Sequence, residues 1–287
     1  MTIIDFHVHL TELGINTTSI IELLSSAYPT REDMLAFCNK YSNPHNYLQL
    51  MDQLELDYAV ILAGSKALSN GRHMNEIVEA FCQVSPRLIP FCTLDPHRHP
   101  NMGEKLEDLC LNHGFKGLKL YPPYHHFYPN DHILYPLYAV AERLDIPVSY
   151  HTGTSIFVNS RTKYGNPLYF DDVAVDFPNL KIIMAHGGRG PWFDEAMCMA
   201  RLHRNVYIDI SGLPPKNLIE IFPDMERFAH KFIFGTDWPS PIINLANRKT
   251  TVMDVKKSIE TIKNLHISRP AIAKILGENA QQLLGLV

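Results

Sequence analysis

Thr2-Ile3-Ile4-Asp5-Phe6-His7-Val8-His9-Leu10 reads as a buried β-strand that ends in two histidines. It is short and mostly apolar, and its histidines stand one residue apart. Along a strand, residues i and i+2 project from the same face. His7 and His9 therefore present two imidazoles side by side, with Asp5 below them. Two neutral imidazoles at that spacing begin a divalent-metal site. On its own the pair equally describes a strand end with two polar residues.

Working outward, eight short apolar segments recur: 3–10, 58–63, 88–94, 117–121, 147–151, 181–186, 206–210 and 232–235. Several are rich in Val, Ile, Phe and Tyr, as strands are. Their near-continuous hydrophobicity suits parallel strands buried on both faces. Helical periods lie between them. The clearest is the stripe Leu134, Leu137, Tyr138, Ala141 and Leu144. Segment 102–112 carries Leu106, Leu109 and Cys110 on one side, with Gly114 as a stop. Further helices are expected at 45–54, 75–84, 194–202, 218–229 and 253–265. A last one at 270–284 opens on Pro270. Strand–helix alternation of this kind predicts an α/β (β/α)8 barrel, with its active site at the C-terminal ends of the strands. A doubly wound open sheet is the alternative, and the lack of GxGxxG after the first strand weighs against it. Three long connections, 11–44, 154–167 and 240–252, follow strand C-termini, where functional loops belong. With no linker, repeat or low-complexity segment, residues 1–287 read as one domain.

A chain of 287 residues that is 46% hydrophobic is long enough for one large core. Net charge is −4 and no basic block stands out, so no nucleic-acid partner is expected. No run of 18 or more apolar residues indicates a membrane span. The first strand begins at about residue 2, so no signal peptide is expected. Cys38, Cys82, Cys92, Cys110 and Cys198 are odd in number and scattered, which fits reduced thiols in a cytoplasm. A small-molecule substrate is the expected partner, and a homo-oligomer is left open.

The polar residues at strand C-termini carry the chemistry. Strand one ends in His7 and His9, and strand four holds Lys119. Strand five ends in His151, and strand six in His186, within Ala185-His186-Gly187-Gly188. Strand eight ends in Asp237, within Gly235-Thr236-Asp237-Trp238-Pro239. In a closed barrel strand eight lies beside strand one, which brings Asp237 near the histidine pair. Chance does not readily gather four His, one Lys and one Asp at the same end of five strands.

This pattern resembles the amidohydrolase superfamily over essentially the whole chain. Within it, the pattern is similar to the amidohydrolase-related branch that includes aminocarboxymuconate-semialdehyde and γ-resorcylate decarboxylases. The resemblance implies that His7, His9, His151 and Asp237 are metal ligands. It implies that His186 either binds a second ion or hydrogen-bonds the reacting group. In two-metal relatives a strand-four lysine is carboxylated and bridges both ions, whereas the decarboxylase relatives commonly lack it. Lys119 is thus either a carboxylated bridge or an ammonium paired with a carboxylate. Asp5 reads as a supporting carboxylate, and His125 and His126 as loop histidines. Arg161, Lys163 and Arg189 are solvated charges or clamps for a substrate carboxylate. The run Gly187-Gly188-Arg189-Gly190 is an anion nest or turn chemistry. Tyr121, Tyr124, Phe127 and Trp238 line an aromatic pocket or pack the loops. Tyr121, Arg161, Arg189 and Trp238 are the substrate-contact candidates.

A divalent ion with an open position lowers the pKa of bound water from about 15.7 toward ~7. Asp237 can act as general base and then protonate the leaving group, and His186 can stabilise the oxyanion. Such a set suits hydrolysis of an amide, ester or lactone of a small carboxylated or aromatic substrate. Chelation of a substrate carboxylate and phenol would instead favour nonoxidative decarboxylation. A non-catalytic binding or scaffolding barrel is the third reading, disfavoured because every ligand position is filled. Zn2+ is the first choice of ion, with Mn2+ or Fe2+ as alternatives, in one copy or two.

Overall fold

The computed structural model describes residues 1–11, 18–65, 73–155, 157–240, 242–244, 249–251 and 254–286. Its main sheet has eight strands: β1 (Ile4–His9), β2 (Tyr58–Leu62), β3 (Leu88–Thr93), β4 (Gly117–Leu120), β5 (Pro147–His151), β6 (Lys181–Ala185), β7 (Val206–Asp209) and β8 (Phe232–Ile233). They pair in chain order from β1 to β8, all parallel. The segment after β8 returns to β1. Phe6 N donates to Phe234 O at 3.0 Å, Asp237 N to His7 O at 2.8 Å and His9 N to Trp238 O at 2.7 Å. The expected (β/α)8 barrel is therefore the fold.

Strand side chains divide between two apolar regions. Ile4, Phe6, Val60, Leu62, Ile89, Phe91, Ile183 and Ile233 fill the inside. Val8, Ile61, Leu118, Val148, Ile182 and Ile208 face the helix layer. The rings of Phe6 and Phe91 meet edge to face at 5.5 Å. Phe91 fits because Gly117 faces it; a β-carbon there would lie 2.3 Å from the ring. These residues form a solid apolar floor, above which the interior turns polar.

One irregularity in β1 decides what that polar layer contains. Asp5 pairs with Ala59, but the next pair is Val8 with Ile61, so Phe6 and His7 together oppose Val60. This is a β-bulge, which re-aims the side chains beyond it. Strict alternation would give the interior to Ile4, Phe6 and Val8 and turn both histidines outward. The extra residue switches the phase, so Val8 packs outside while His7 and His9 point in.

The helices are α1 (Thr18–Ser25), α2 (Arg31–Tyr41), α3 (Pro44–Gln53), α4 (Met74–Cys82), α5 (Met102–Asn112), α6 (Pro122–His125), α7 (Tyr135–Arg143), α8 (Phe170–Asp176), α9 (Phe193–Leu202), α10 (Leu218–Ile221), α11 (Val255–Lys263), α12 (Arg269–Ala273) and α13 (Asn279–Leu284). Local chemistry fixes their starts. Thr30 Oγ1 accepts from Asp33 N at 3.1 Å, and Asp254 caps α11 through Lys257 N at 3.0 Å.

Several elements depart from the sequence expectation. Connection 11–44 is not a plain loop: it holds α1 and α2, and residues 12–17 lie outside the described residues. In connection 240–252, Ile242–Asn244 (β9) pairs antiparallel with Lys249–Thr251 (β10), the remaining residues from 241 to 252 being outside the described set. Helix α8 follows β5 without having been anticipated, because its seven residues are too short for a periodic signal. The helix expected over 218–229 stops after one turn. Pro223 follows Phe222, and a residue before proline is pushed out of the α region. The helix expected over 270–284 contains a π turn at Lys274–Glu278. Gly277 there packs on Thr2 O, 2.1 Å from where a β-carbon would sit, and Ile275 O accepts from Phe234 N at 2.8 Å. Phe234 N therefore bonds outside the sheet while its carbonyl accepts from Phe6, and β8 spans only Phe232–Ile233 rather than 232–235.

All five cysteines are free: Cys38, Cys82 and Cys92 are buried, Cys110 is half-buried and Cys198 is exposed. Among the described residues no helix is long and apolar enough to cross a membrane. One buried cation supports the wall. Lys231 is 6% exposed, and burial pulls its pKa down to about 8. Its Nζ donates to the carbonyls of His203, Arg204 and Val206 at 2.8, 2.8 and 3.2 Å, just beyond α9. Replacing Lys231 by Met strands three carbonyls and should cost about 2–3 kcal/mol, read as a lower urea midpoint with unchanged slope.

Candidate metal centre

Three donors converge at the mouth. His7 Nε2 lies 3.3 Å from His9 Nε2, and Asp237 Oδ1 is 3.4 and 3.5 Å from those two atoms. Among the described residues this is the one His/Cys/Asp/Glu group whose ligand atoms all lie within 4.8 Å of one another. The His7 side chain is buried, whereas His9 and Asp237 retain 26% and 14% exposure, so the cluster opens toward the mouth.

The donor set fits a cation. His7 Nδ1 faces the Asp209 carboxylate at 2.6 Å, and His9 is hydrogen-bonded to the Leu62 backbone. Each ring thus uses one nitrogen on the protein and turns the other to the cluster. Burial pushes His7 well below the usual imidazole range, with Lys119 adding to the effect, and holds His9 down to about 3. Both rings are neutral, as ligands must be. Two imidazole nitrogens and a carboxylate oxygen within 3.5 Å of one another suit a positive ion.

Asp237 owes its place to two contacts. Its backbone bonds to His7 O, and Asp5 holds the preceding residue by accepting from Thr236 N and Oγ1 at 2.9 and 2.6 Å. Asp5 is therefore a supporting carboxylate in position as well as in type. Burial raises Asp237 to about 6, opposed by Arg189 and then Lys119. His186 and Asp237 both hold left-handed backbone, at φ 67° and 64°. Such conformations cost free energy in non-glycine residues and persist where surrounding bonds enforce them.

His186 Nδ1 lies 2.9 Å from the Ser211 carbonyl. A carbonyl only accepts, so Nδ1 carries the proton and neutral His186 presents a bare Nε2. His151 lies outside the three-donor cluster. Its Nδ1 faces Tyr124 OH and its Nε2 faces Thr154 O, each at 3.4 Å, and its ring packs on His186 at 4.7 Å. Burial, then Arg189, lowers the pKa of both rings.

Lys119 is fully buried, 3.4 Å from Ser149 Oγ and 5.6 Å from the Tyr121 ring centroid. Burial lowers its pKa, opposed by Asp209 and then Asp237. The four substrate-contact candidates separate. Arg189 reaches the site: Nη2 donates to Thr154 O at 3.2 Å, and its charge acts on His151, His186 and Asp237. Among the described residues its guanidinium forms no ion pair. Arg161 is exposed on the loop after β5. Tyr121 is buried in the wall, donating to Ala63 O at 2.7 Å. Trp238 is 5% exposed, boxed by the rings of Phe37, Tyr41 and Tyr47 at 5.0–5.7 Å.

Sequence reasoning missed the strand-seven end. Asp209, Ser211 and Gly212 border the cluster, and a β-carbon on Gly212 would sit 2.8 Å from Arg189 Nη1 and 3.4 Å from Asp237 Oδ2. A signal existed: Asp209 is an acid inside the apolar run Val206-Tyr207-Ile208.

The chain belongs to the amidohydrolase family, a family of enzymes, whose model matches residues 4–286. Among the curated proteins compared by sequence, none matches. Among solved structures, the fold is similar to an uncharacterized TIM-barrel protein from Bordetella bronchiseptica, at 23% identity over 99% of both chains with a TM-score of 0.75. It is also similar to a 5-carboxyvanillate decarboxylase from Novosphingobium aromaticivorans, solved with bound manganese and a nitrobenzoic acid (14% identity, 99% of this chain and 97% of that one, TM-score 0.67). A third is a probable 2-pyrone-4,6-dicarboxylic acid hydrolase from Acinetobacter baumannii with citric acid bound (17% identity, 99% and 100%, TM-score 0.62).

Proposed function

We propose that this protein is a divalent-metal-dependent hydrolase of a small carboxylated amide, ester or lactone. The observation that carries the reading is the convergence of His7 Nε2, His9 Nε2 and Asp237 Oδ1 beside the Arg189 guanidinium, which among the described residues forms no ion pair. His7, His9 and Asp237 would hold the ion, Zn2+ first, with Mn2+ and Fe2+ as alternatives. When bound, it supplies Lewis acidity toward an acyl oxygen and toward water. Asp237 divides its work between two oxygens. Oδ1 faces the histidines, while Oδ2 lies on the Gly212 side, free to take a proton from water and return it to the leaving group. His186 Nε2 accepts a hydrogen bond from water or substrate. Arg189 holds a substrate carboxylate, and Lys119 stays an ammonium that balances Asp209 and Asp237. His151 and Tyr124 form the pocket wall. The free cysteines fit a cytoplasmic setting.

Nonoxidative decarboxylation is the second reading, favoured by the same Arg189–Asp237 juxtaposition. A carboxylate bound there would leave Asp237 to protonate the carbon that loses CO2. The test is a screen of amides, esters, lactones and aromatic carboxylates with metal-loaded protein, recording acid release and CO2 together. Metal-dependent acid release without CO2 is expected. Stoichiometric CO2 would replace the first reading with the second, and silence across the panel would favour a binding role. Arg189→Gln should raise KM for carboxylated substrates about 10- to 100-fold, the value of a charged hydrogen-bond pair, and spare uncharged analogues.

A further inference from the structure

The end of β7 carries a buried carboxylate and a hydroxyl packed directly behind His7. Asp209 and Ser211 are both 0% exposed. Asp209 Oδ1 accepts from Ser211 N at 2.8 Å, and Oδ2 accepts from Ser211 Oγ at 2.9 Å. Oδ2 also meets His7 Nδ1 at 2.6 Å. A carboxylate oxygen carries no hydrogen and only accepts, so His7 Nδ1 is the donor to Oδ2. The Ser211 hydroxyl reaches His7 Nδ1 at 2.8 Å and His186 Nδ1 at 3.2 Å, while the Ser211 carbonyl takes the His186 proton. Space for this arrangement depends on Gly235, where a β-carbon would lie 2.7 Å from Asp209 Oδ1 and 2.8 Å from His7 Cβ.

We infer that Asp209, held by Ser211, is the positioning residue that fixes His7 in its Nδ1-protonated tautomer, with Nε2 bare toward His9 and Asp237. The inference rests on His7 being a metal ligand only for its consequence; the tautomer itself is a property of the metal-free protein. A carboxylate behind a ligating imidazole sets ring orientation and raises donor strength. Asp209→Asn gives a sharp contrast. Ser211 N pins the amide oxygen at the Oδ1 position, which turns the amide NH2 toward His7 Nδ1. Two donors then face one another, and the ring relieves the clash by moving its proton to Nε2. The wrong nitrogen then faces the cluster, as happens when the aspartate behind a catalytic histidine is amidated.

The test is two-bond 1H–15N correlation on [15N]histidine-labelled, metal-free protein, with His7 assigned from His7→Gln. Wild type should show a single Nδ1–H tautomer for His7, and Asp209→Asn should show Nε2–H. Zn2+ affinity, from competition with a chelating dye, should fall about 10- to 100-fold in that variant. If Asp209→Asn does not fold, Asp209→Ala removes the acceptor without adding a donor, and the two tautomers should mix. An unchanged His7 tautomer in the folded variant would overturn the inference, as would loss of affinity without a tautomer change. A tautomer that switches in a protein that binds no Zn2+ would uphold the positioning role and sink the metal-site reading instead.

Discussion

Asp237→Asn is expected to lower kcat about 10²-fold or more, the scale for losing a positioned acid–base group. Asn keeps the size of the side chain and one coordinating oxygen, so the variant should still take up metal. It cannot accept a proton. The pH profile separates this role from a structural one. Burial holds the Asp237 carboxyl up to about 6, so a base at this position loses its charge as pH falls through that value. A bound cation favours the ionised form and moves the limb lower still. The wild type should therefore show an acid limb at or below pH about 6 in kcat/KM, and the Asn variant should lack it. A merely structural aspartate would give a lower Tm with kcat near wild type for the folded fraction. The measurement is kcat per bound metal across pH, with folding checked by circular dichroism. Near-wild-type turnover in a metal-loaded Asn variant removes Asp237 from the mechanism.

The second large effect concerns the histidine pair. His7→Ala combined with His9→Ala leaves Asp237 as the sole member of the three-donor cluster. Stoichiometric Zn2+ should disappear by elemental analysis, and turnover should fall to background. His151 and His186 lie outside the three-donor cluster, so they are not expected to hold the ion without the pair. A full equivalent of metal in the double variant refutes the assignment. Its metal-free form should remain folded, because the apolar floor beneath the site is untouched.

The eight strands were legible because each is a continuous apolar run, and the mouth was legible because polar residues end five of them. What the sequence hid is of three kinds. The bulge at Phe6–His7 carries no glycine or proline, so nothing in the residues announces the change of phase that turns the histidines inward. Asp209 was visible as an acid in an apolar strand, yet its bond to His7 spans 202 positions and follows only from barrel closure. The role of Trp238 was hidden in the same way, since Phe37, Tyr41 and Tyr47 come from α2 and α3, far back in the chain. Arg161 and Arg189 look alike as loop cations. Only Gly212, which clears a path for the Arg189 guanidinium, separates them.

The box around Trp238 gives the molecule an optical reporter of its own. The chain has two tryptophans, Trp192 and Trp238, and the second adjoins Asp237 while resting on the helices that follow β1. Indole emission shifts to the red as water reaches the ring. In a Trp192→Phe background, the emission maximum reads one quantity: whether α2 and α3 are docked on the wall that carries Asp237. Detachment of those helices would uncover the ring that stands next to Asp237 in the chain. Loosening of the N-terminal helices thus becomes visible in a fluorimeter without any substrate.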